Sequence, residues 1–380
     1  MYPRRVRVLV APDKFKGTLS AEQAARAIAS GWRRERPDDE IDLAPMADGG
    51  DGTLDALVAA LGGEIRRARV SGPLGDPVEA AFGLVEAAGG RTGIVELARA
   101  SGLQLVAESR RDALRASTWG TGQLLLAVAR EGIAEALVCI GGSATTDGGA
   151  GLASALGVRF LDASGEPIGD GGAGLLSLER VDVTGLAPEV RSLRVTVASD
   201  VDNPLVGPRG AAHVYSPQKG ASLDDVLLLD RALAHYAAVI HRDLGIDVRN
   251  LPGAGAAGGT GAGLIAFLGA HLRPGVEVVM EALGLSERIR RADLVLTGEG
   301  RLDESSLYGK VPAGVMAEAR TAGRPVAILC GVAEVHPDGV WVGSLVEAVG
   351  QERALGEARW ALEDLAARAA RQAGRLAPPA

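Results

Sequence analysis

Six glycine-rich loops constrain the fold of this chain more than any other feature of its sequence. Most of them follow a short apolar run and hold an acid or a lysine among the glycines. Strands that end in such loops and lead into helices are typical of parallel α/β sheets, and glycine-rich loops between short strands and helices would account for the high total of 53 glycines in 380 residues. Ligands of such sheets bind at the carboxyl ends of the strands, so a site is expected in these loops. The loops read APDKFKGT, PMADGGDGT, IGGSATTDGGAG, ASDVDNPLVGP, PGAGAAGGTGAG and LTGEGRLDESSLYGK.

The first part of the chain alternates strands and helices, whereas the segment that follows it does not. The capping-box signature of Ser20 with Gln23 predicts the start of one helix, and Ser222 and Asp225 are predicted to cap the start of another. After Gly63, two extended runs around a Gly/Pro turn predict an antiparallel hairpin. The pattern of predicted strands and helices therefore changes at Gly63, and a domain boundary is expected there.

The end of the chain returns to the alternation of its beginning. A strand is predicted at 293–297, followed by a helix, a further strand and a final helix. We therefore predict an α/β fold of two different α/β lobes. Residues 1–63 and 285–380 form a Rossmann-like lobe with a parallel sheet, and residues 64–284 form a second α/β lobe inserted into the first. A cleft between the lobes would be the natural place for a site.

Composition excludes several classes of function. The formal net charge of −8 argues against a protein that coats nucleic acid, because phosphate backbones are bound through accumulated positive charge. Neither a signal peptide nor a long apolar span is visible, which predicts a cytoplasmic protein without a membrane partner. The five histidines show no zinc-ligand spacing. Cys139 and Cys330 lie in apolar runs and are predicted to be buried as small hydrophobic residues.

The four lysines stand out because almost every other basic residue is arginine. Of the 40 basic residues only Lys14, Lys16, Lys219 and Lys310 are lysines, and all lie in glycine-containing loops. A lysine ammonium is a compact point charge, unlike the planar arginine group, so these positions favour anion binding. Lys14 and Lys16 alternate in an extended stretch, which predicts that they point to one side while Phe15 packs inward.

Two of the loops are candidates for holding phosphate groups. The loop Gly141–Gly151 could cradle phosphates and bind magnesium through Asp147, or it could be a tight turn with Asp147 as a helix cap, and the sequence does not decide between the two. Gly253–Gly258 matches the dinucleotide fingerprint GxGxxG. The residues before it are polar and end in proline, so the required strand is missing and the match is discounted.

Carboxylates recur at the ends of the predicted strands. Such a set suits Mg²⁺, which takes a few carboxylates together with substrate phosphates, or a general base that removes a hydroxyl proton. The loops therefore predict a Mg²⁺-dependent enzyme that acts on phosphorylated ligands, with phosphoryl transfer from a nucleotide as the leading chemistry. The acids are Asp48, Asp200, Asp202, Glu299 and Asp303, with Asp13 beside Lys14.

Five of these segments, in this order, resemble the bacterial type I glycerate kinases. They are APDKFKGTLSA, PMADGGDGT, IGGSATTDGGAG, DVDNPLVGPRGAAHVYSPQKGA and TGEGRLD followed by GK, and the resemblance runs from the first strand to about Gly350. It implies a fold of two different α/β lobes and ATP-dependent phosphorylation of D-glycerate, at the 2-hydroxyl. The family usually has Gln and Thr where this chain has Ser305 and Ser306, so the hydroxyl is kept only at Ser306.

From the loops and this resemblance together we predict roles for individual residues, with ATP and Mg²⁺ as cofactors. Catalysis is assigned to Asp48 or Asp200 as the base and to Lys14 and Lys16, which would hold the glycerate carboxylate or the γ-phosphate. The predicted metal ligands are Asp147, Glu299 and Asp303. The predicted substrate- and phosphate-binding residues are Gly49, Gly50, Gly142, Ser143, Thr145, Lys219, Gly258, Gly259, Thr260, Arg301, Ser306 and Lys310.

Alternative functions stay open at this point. The 3-hydroxyl of glycerate is a second acceptor for the same chemistry. An NAD-dependent hydroxyacid dehydrogenase would use the GAGAAG segment, and a non-catalytic nucleotide-binding sensor would bind ATP without turnover. The sequence also leaves open whether the chain forms a homodimer.

Overall fold

The computed structural model describes residues 5–87, 90–307 and 309–376, and it has the mixed α/β architecture predicted from the sequence. The strands are β1 (Arg7–Pro12), β2 (Glu40–Leu43), β3 (Glu64–Ser71), β4 (Pro77–Ala87), β5 (Gly90–Glu96), β6 (Glu135–Cys139), β7 (Arg159–Leu161), β8 (Arg180–Asp182), β9 (Arg194–Ala198), β10 (His271–Arg273), β11 (Leu294–Leu302), β12 (Val326–Ala333) and β13 (Trp341–Ser344).

Helices connect most of these strands, as expected for parallel pairing. They are α1 (Ala21–Glu35), α2 (Thr53–Leu61), α3 (Ala98–Ser101), α4 (Trp119–Arg130), α5 (Ala150–Ala155), α6 (Gly171–Gly174), α7 (Pro188–Arg191), α8 (Ala211–Tyr215), α9 (Leu223–Leu244), α10 (Ala256–Leu268), α11 (Gly275–Ala282), α12 (Leu285–Arg291), α13 (Val311–Thr321), α14 (Leu345–Val349), α15 (Gln351–Gly356), α16 (Ala358–Arg371) and α17 (Ala373–Leu376). Both predicted helix caps are present, each as a capping box, at the starts of α1 and α9.

The two ends of the chain form one parallel sheet. Its strand order is β13-β12-β11-β1-β2, and every pair is parallel. On it lies a core that includes Trp32 of α1 and Leu362 of α16, both fully buried. The helices α1 and α16 approach so closely that a Cβ at Gly31 would lie 1.9 Å from the carbonyl oxygen of Glu363. The sheet is therefore the Rossmann-like lobe that the head and tail of the sequence predict.

The middle of the chain forms a second, mixed sheet with the order β10-β9-β6-β5-β4-β3. Its strands β5, β6, β9 and β10 are parallel. The hairpin β3–β4 is antiparallel, as the Gly/Pro turn predicts, and β4 is antiparallel to β5. A short antiparallel pair, β7 with β8, lies outside this sheet. The fold class, two different α/β lobes with one inserted into the other, is thus confirmed.

The chain divides into two compact units. The first comprises Met1–Asp48, Asp55–Gly62 and Val276–Ala380, and the second comprises Gly49–Leu54 and Gly63–Gly275. The domain limits read from the sequence, 1–63 with 285–380 and 64–284, stay a prediction beside this division. None of the described helices is long and apolar enough to span a bilayer. Cys139 and Cys330 are both buried, as predicted.

Two local predictions are wrong. The strand predicted at 293–297 continues to Leu302, because Gly298 and Gly300 have no side chain to keep the neighbouring backbones apart: a Cβ at Gly298 would lie 1.9 Å from the carbonyl oxygen of Leu329. The extended stretch predicted around Phe15 gives way to a turn in which the N–H and the hydroxyl of Thr18 both donate to the carbonyl of Phe15. Phe15 itself is buried in the core, as predicted.

Candidate functional site

An acidic cluster forms in the first unit at the ends of β1 and β2 and within β11. Asp13 directly follows β1, is only 6% exposed, and donates its N–H to the carbonyl of Gly298 at 2.8 Å. Its Oδ1 accepts the N–H of Lys14 at 2.7 Å. Asp48 and Glu299 are near enough for their charges to act on the Asp13 carboxyl. The parallel pairing of β1 with β11 thus gathers three carboxylates, which we call the acidic cluster.

The protonation of Asp13 is tuned by this environment. Burial raises the pKa of the Asp13 carboxyl to about 7, with the Asp48 charge as the second cause and Glu299 adding to it, against a smaller opposing effect of Lys14. A carboxyl with such a pKa exchanges its proton near neutral pH, which suits a general base. Sequence reasoning placed Asp13 beside Lys14 but not among the site residues. Its position directly after a buried apolar strand was the available signal.

Glu299 has an unpartnered oxygen. The residue is 7% exposed, and its buried Oε1 has no hydrogen-bond partner among the described residues. Burial raises the pKa of the Glu299 carboxyl, and a hydrogen bond from Ser306 opposes the rise. Because an orphaned buried acceptor is costly, this oxygen fits a cation or a protonated ligand.

Asp303 lies in a hydrogen-bond network instead. Its Oδ1 accepts the hydroxyl of Ser305 at 2.5 Å and the N–H of Ser306 at 3.1 Å. The hydroxyl of Ser305 also accepts from the Nζ of Lys310 at 2.7 Å, and that nitrogen lies 3.9 Å from Asp303 Oδ1. The Ser305 hydrogen bond lowers the pKa of Asp303. Ser305, which departs from the family pattern, therefore links the acid to the lysine.

The other predicted residues of the first unit differ in exposure. Lys14 is half-buried and Lys16 is exposed on the turn after β1. Arg301 is exposed and forms an ion pair with Glu334. The structure therefore brings Lys14, Asp48 and Glu299 together around Asp13, whereas Arg301 points to a surface partner.

Asp147, predicted to bind metal or to cap a helix, is fully buried in the second unit. Its Oδ2 accepts the N–H and the hydroxyl of Thr118 at 2.8 and 2.7 Å and the N–H of Gly151 at 3.2 Å, while Oδ1 accepts the N–H of Gly149 at 3.1 Å. Burial raises its pKa, and these hydrogen bonds oppose the rise. Since both oxygens are engaged by the protein, the geometry favours the capping role over the metal role.

Lys219 lies beneath the same loop. It is 2% exposed, and its Nζ donates to the hydroxyl of Ser143 at 2.8 Å and to the carbonyl of Thr145 at 2.6 Å. Burial lowers the pKa of Lys219 to about 7, against a smaller opposing effect of Asp147. The hydroxyl of Thr145 is buried without a partner among the described residues. This lysine holds the loop from inside and brings Ser143, Thr145 and Lys219 together, while their phosphate-binding role stays a prediction.

The two glycine-rich loops of the second unit pack on each other. A Cβ at Gly258 would lie 1.9 Å from the carbonyl oxygen of Thr145, and one at Gly259 would lie 2.8 Å from the Cα of Gly148. Ala257 precedes them with φ of 53°, a left-handed conformation that costs an alanine about 1 kcal/mol or more. Gly258, Gly259 and Thr260 are buried, whereas Gly142 is exposed. Close backbone packing therefore explains these glycines without a phosphate.

The segment Gly49–Leu54, which follows β2 in the chain, belongs to the second unit and packs within it. A Cβ at Gly49 would lie 2.8 Å from the Cβ of Ala198, and one at Gly141 would lie 2.9 Å from the Cα of Gly50. The helix α2 begins there, and Glu96, 1% exposed at the end of β5, accepts the N–H of Leu54 at 2.8 Å.

Glu96 was missed by sequence reasoning. It also accepts from Arg99 Nε at 2.6 Å, and burial raises the pKa of its carboxyl despite that arginine. An acid at the end of an apolar strand was the signal, but the sequence did not show that two parts of the chain meet there.

Asp200, the second predicted base, lies at the surface. It is exposed just after β9, and its Oδ1 accepts the N–H of Gly275 at 2.8 Å. Among the described residues, no three or more acids, histidines or cysteines are grouped so that they could hold a metal ion.

Comparison with known proteins gives a consistent result. The model of the glycerate kinase family matches residues 8–377. A glycerate kinase from Halalkalibacterium halodurans is 51% identical over 324 residues, which is 85% of each chain. The glycerate 2-kinase of Escherichia coli is 46% identical over 340 residues, covering 88% of this chain and 89% of that one. A crystal structure of a Salmonella typhimurium LT2 protein assigned as glycerate kinase 2 is 42% identical, with a TM-score of 0.88 over 98% of this chain and all of the other.

Proposed function

Because the chain belongs to the glycerate kinase family, we propose that it transfers the γ-phosphoryl group of ATP to the 2-hydroxyl of D-glycerate, giving 2-phosphoglycerate. Family membership makes it an enzyme that phosphorylates glycerate. The name of the Escherichia coli relative supports the 2-hydroxyl as acceptor. The same membership favours a kinase over the dehydrogenase and the inert sensor. In addition, the segment before Gly253 contains no strand, so GAGAAG lacks a dinucleotide-binding context.

The acidic cluster is the observation that carries the proposed chemistry. Burial and the neighbouring Asp48 charge raise the pKa of the Asp13 carboxyl to about 7, and we assign the removal of the glycerate hydroxyl proton to the pair of Asp13 and Asp48 rather than to Asp200. Asp13 is suited to the task because a carboxyl with this pKa exchanges its proton near neutral pH. Phosphoryl transfer passes through a loose transition state, so catalysis depends on position and on charge neutralisation. Lys14, bonded through its N–H to Asp13, is placed to supply positive charge.

Mg²⁺ would be held by Glu299, whose unpartnered oxygen fits a cation, together with phosphate oxygens. When bound, the ion neutralises negative charge on the phosphates. The hydroxyl of Ser305 joins Asp303 to Lys310. In this proposal the two residues act on the bound phosphate as this linked group, and Asp303 is not a metal ligand. The predicted phosphate role of Gly258, Gly259 and Thr260 is replaced by loop packing in this proposal.

A direct assay tests the proposed activity. The protein is mixed with ATP, Mg²⁺ and D-glycerate, ADP release is followed, and the product is identified by phosphorus NMR as the 2- or the 3-phosphate. We expect turnover that requires all three components and yields the 2-phosphate. Formation of 3-phosphoglycerate would overturn the regiochemistry, and the absence of turnover would overturn the proposed reaction.

Two asparagine variants test the assignment of the base. Asp48→Asn should lower kcat about tenfold or more, because it removes one member of the pair. Asp200→Asn is the matched control, since that carboxylate is exposed in the second unit, where it accepts the N–H of Gly275, and its loss should change kcat less than threefold. A larger loss from the Asp200 variant would reverse the assignment. A cytoplasmic location and a homodimer stay predictions.

A further inference from the structure

A pair of cavities lies at the carboxyl edge of the mixed sheet. The helix α4 leads into the amino end of β6, so its first residue, Trp119, lies at the opposite, carboxyl edge. The turn between β3 and β4 reaches the same edge, because β3 is antiparallel to β4 and β4 to β5. Open α/β sheets bind their ligands at this edge. The cavities are therefore where the topology expects a ligand.

The walls of these cavities are fixed by backbone contacts. The N–H of Ser117 donates to the carbonyl of Pro73 at 2.8 Å, and the N–H of Trp119 donates to the hydroxyl of Ser117 at 3.2 Å. A Cβ at Gly120 would lie 1.8 Å from the carbonyl oxygen of Ser71, so the turn and α4 are in direct contact. The indole of Trp119 stays 38% exposed although its backbone is held on both sides. The backbone contacts therefore fix the position of Trp119, and its indole offers a large exposed aromatic face.

The larger cavity carries charges of both signs. It has a volume of about 760 Å³, within the range of small-molecule sites, and its lining includes Arg110 and Arg115 together with Asp112 and Asp170. Arg110 is paired with Asp76 at 2.9 Å at the surface. Arg115 is exposed and forms no ion pair with any residue that the structure describes. One guanidinium is therefore free to meet an anion.

The smaller cavity is more apolar. It has a volume of about 320 Å³, includes Ile168 and Phe160 in its lining, and shares Ser117, Trp119 and Asp170 with the larger one. Asp170 precedes α6 without capping it through its side chain. An aromatic face, an apolar recess, a carboxylate and a free arginine in one place match the parts of a nucleotide: a base, a ribose and phosphates.

We propose that these two cavities bind the nucleotide cosubstrate, with the base against Trp119 and the apolar recess, and the phosphates toward Arg115. This inference rests on the proposed function, because it takes the phosphoryl donor to be a nucleotide. The carboxylate of Asp170 accepts a hydrogen bond from a ribose hydroxyl. The packed loops around Thr145 then support the sheet rather than enclose the phosphates.

Binding measurements on the whole chain test the proposal. Calorimetry with ADP, adenosine and tripolyphosphate is run on the wild type, Trp119→Ala and Arg115→Gln. Trp119→Ala should weaken ADP and adenosine about tenfold and leave tripolyphosphate unchanged, since stacking is lost. Arg115→Gln should weaken ADP and tripolyphosphate about tenfold and leave adenosine unchanged. ADP should also quench the fluorescence of the wild type, and Trp119→Phe should remove that quenching while keeping a ring.

Matched controls separate local effects from general ones. Trp360→Ala removes another exposed tryptophan, one that stacks on Arg353, and should bind all three ligands like the wild type. ADP binding that is equal in the wild type, Trp119→Ala and Arg115→Gln would overturn this site while the proposed function stands. The absence of both ADP binding and ATP-dependent turnover in the wild type would instead overturn the proposed function.

Discussion

Replacing Lys219 by methionine should remove a large part of the pH dependence of stability. Burial lowers the pKa of this lysine from 10.5 to about 7, so between these values the folded chain binds fewer protons than the unfolded chain. The free energy of unfolding therefore rises with pH between pH 7 and pH 10.5. Below about pH 7 it does not rise, because the buried ammonium stays charged in the folded chain. The difference between the folded and unfolded pKa values corresponds to an increase of about 2 kcal/mol in the free energy of unfolding from pH 7 to pH 9. Methionine has a similar length and no charge, and should show no such gain.

Urea unfolding at pH 7 and pH 9 measures this difference. The wild type should gain about 2 kcal/mol in the free energy of unfolding relative to Lys219→Met over that interval. Lys16→Met is the matched control, because Lys16 is exposed and its removal should leave the pH dependence of the wild type intact. Equal pH dependence in the wild type and Lys219→Met would refute the reasoning, since it would mean that burial does not penalise the lysine charge.

The acidic cluster and the packed loops give four more predictions. Turnover should rise with pH through about 7 as Asp13 loses its proton. Asp48→Asn should move this limb of the kcat/KM profile to lower pH, because it removes a charge that raises the Asp13 pKa; an unmoved limb would contradict the coupling. Ala257→Gly should stabilise the chain by about 0.5 kcal/mol in urea unfolding, because it relieves the left-handed φ, and a loss of stability would argue against strain there. Gly258→Ala should destabilise it by about 3 kcal/mol, because a Cβ would clash with Thr145 at a positive φ, and a neutral result would exclude the close packing.

Features of the fold that depend on neighbouring residues could be predicted from the sequence. The helix caps at Ser20 and Ser222 need only three residues of spacing, and both form as predicted. The hairpin after Gly63 follows from its turn residues. The alternation of strands and helices at both chain ends correctly predicts a shared parallel sheet.

Features that depend on contacts between distant segments could not be predicted. Glycines at 258 and 259 match a phosphate-binding pattern, but Gly258 lies against the backbone of Thr145 and Gly259 against that of Gly148, each more than a hundred residues earlier in the chain. The extension of β11 depends on the approach of β12 to Gly298. The burial of Lys219 and the coupling of Asp13 to Asp48 follow from packing that no local pattern encodes.

The place of β1 between β2 and β11 in its sheet has a consequence for synthesis of the chain on the ribosome. Its backbone at Ala11 is bonded by the hydroxyl of Thr297, 286 residues later. At about 5–20 residues per second, roughly 15 to 60 s pass before that partner strand emerges. During this interval the apolar β1–α1–β2 segment waits without its main neighbour, while the inserted segment can already complete its own sheet. Chaperone capture during translation should therefore concentrate on the first 60 residues or so of the nascent chain.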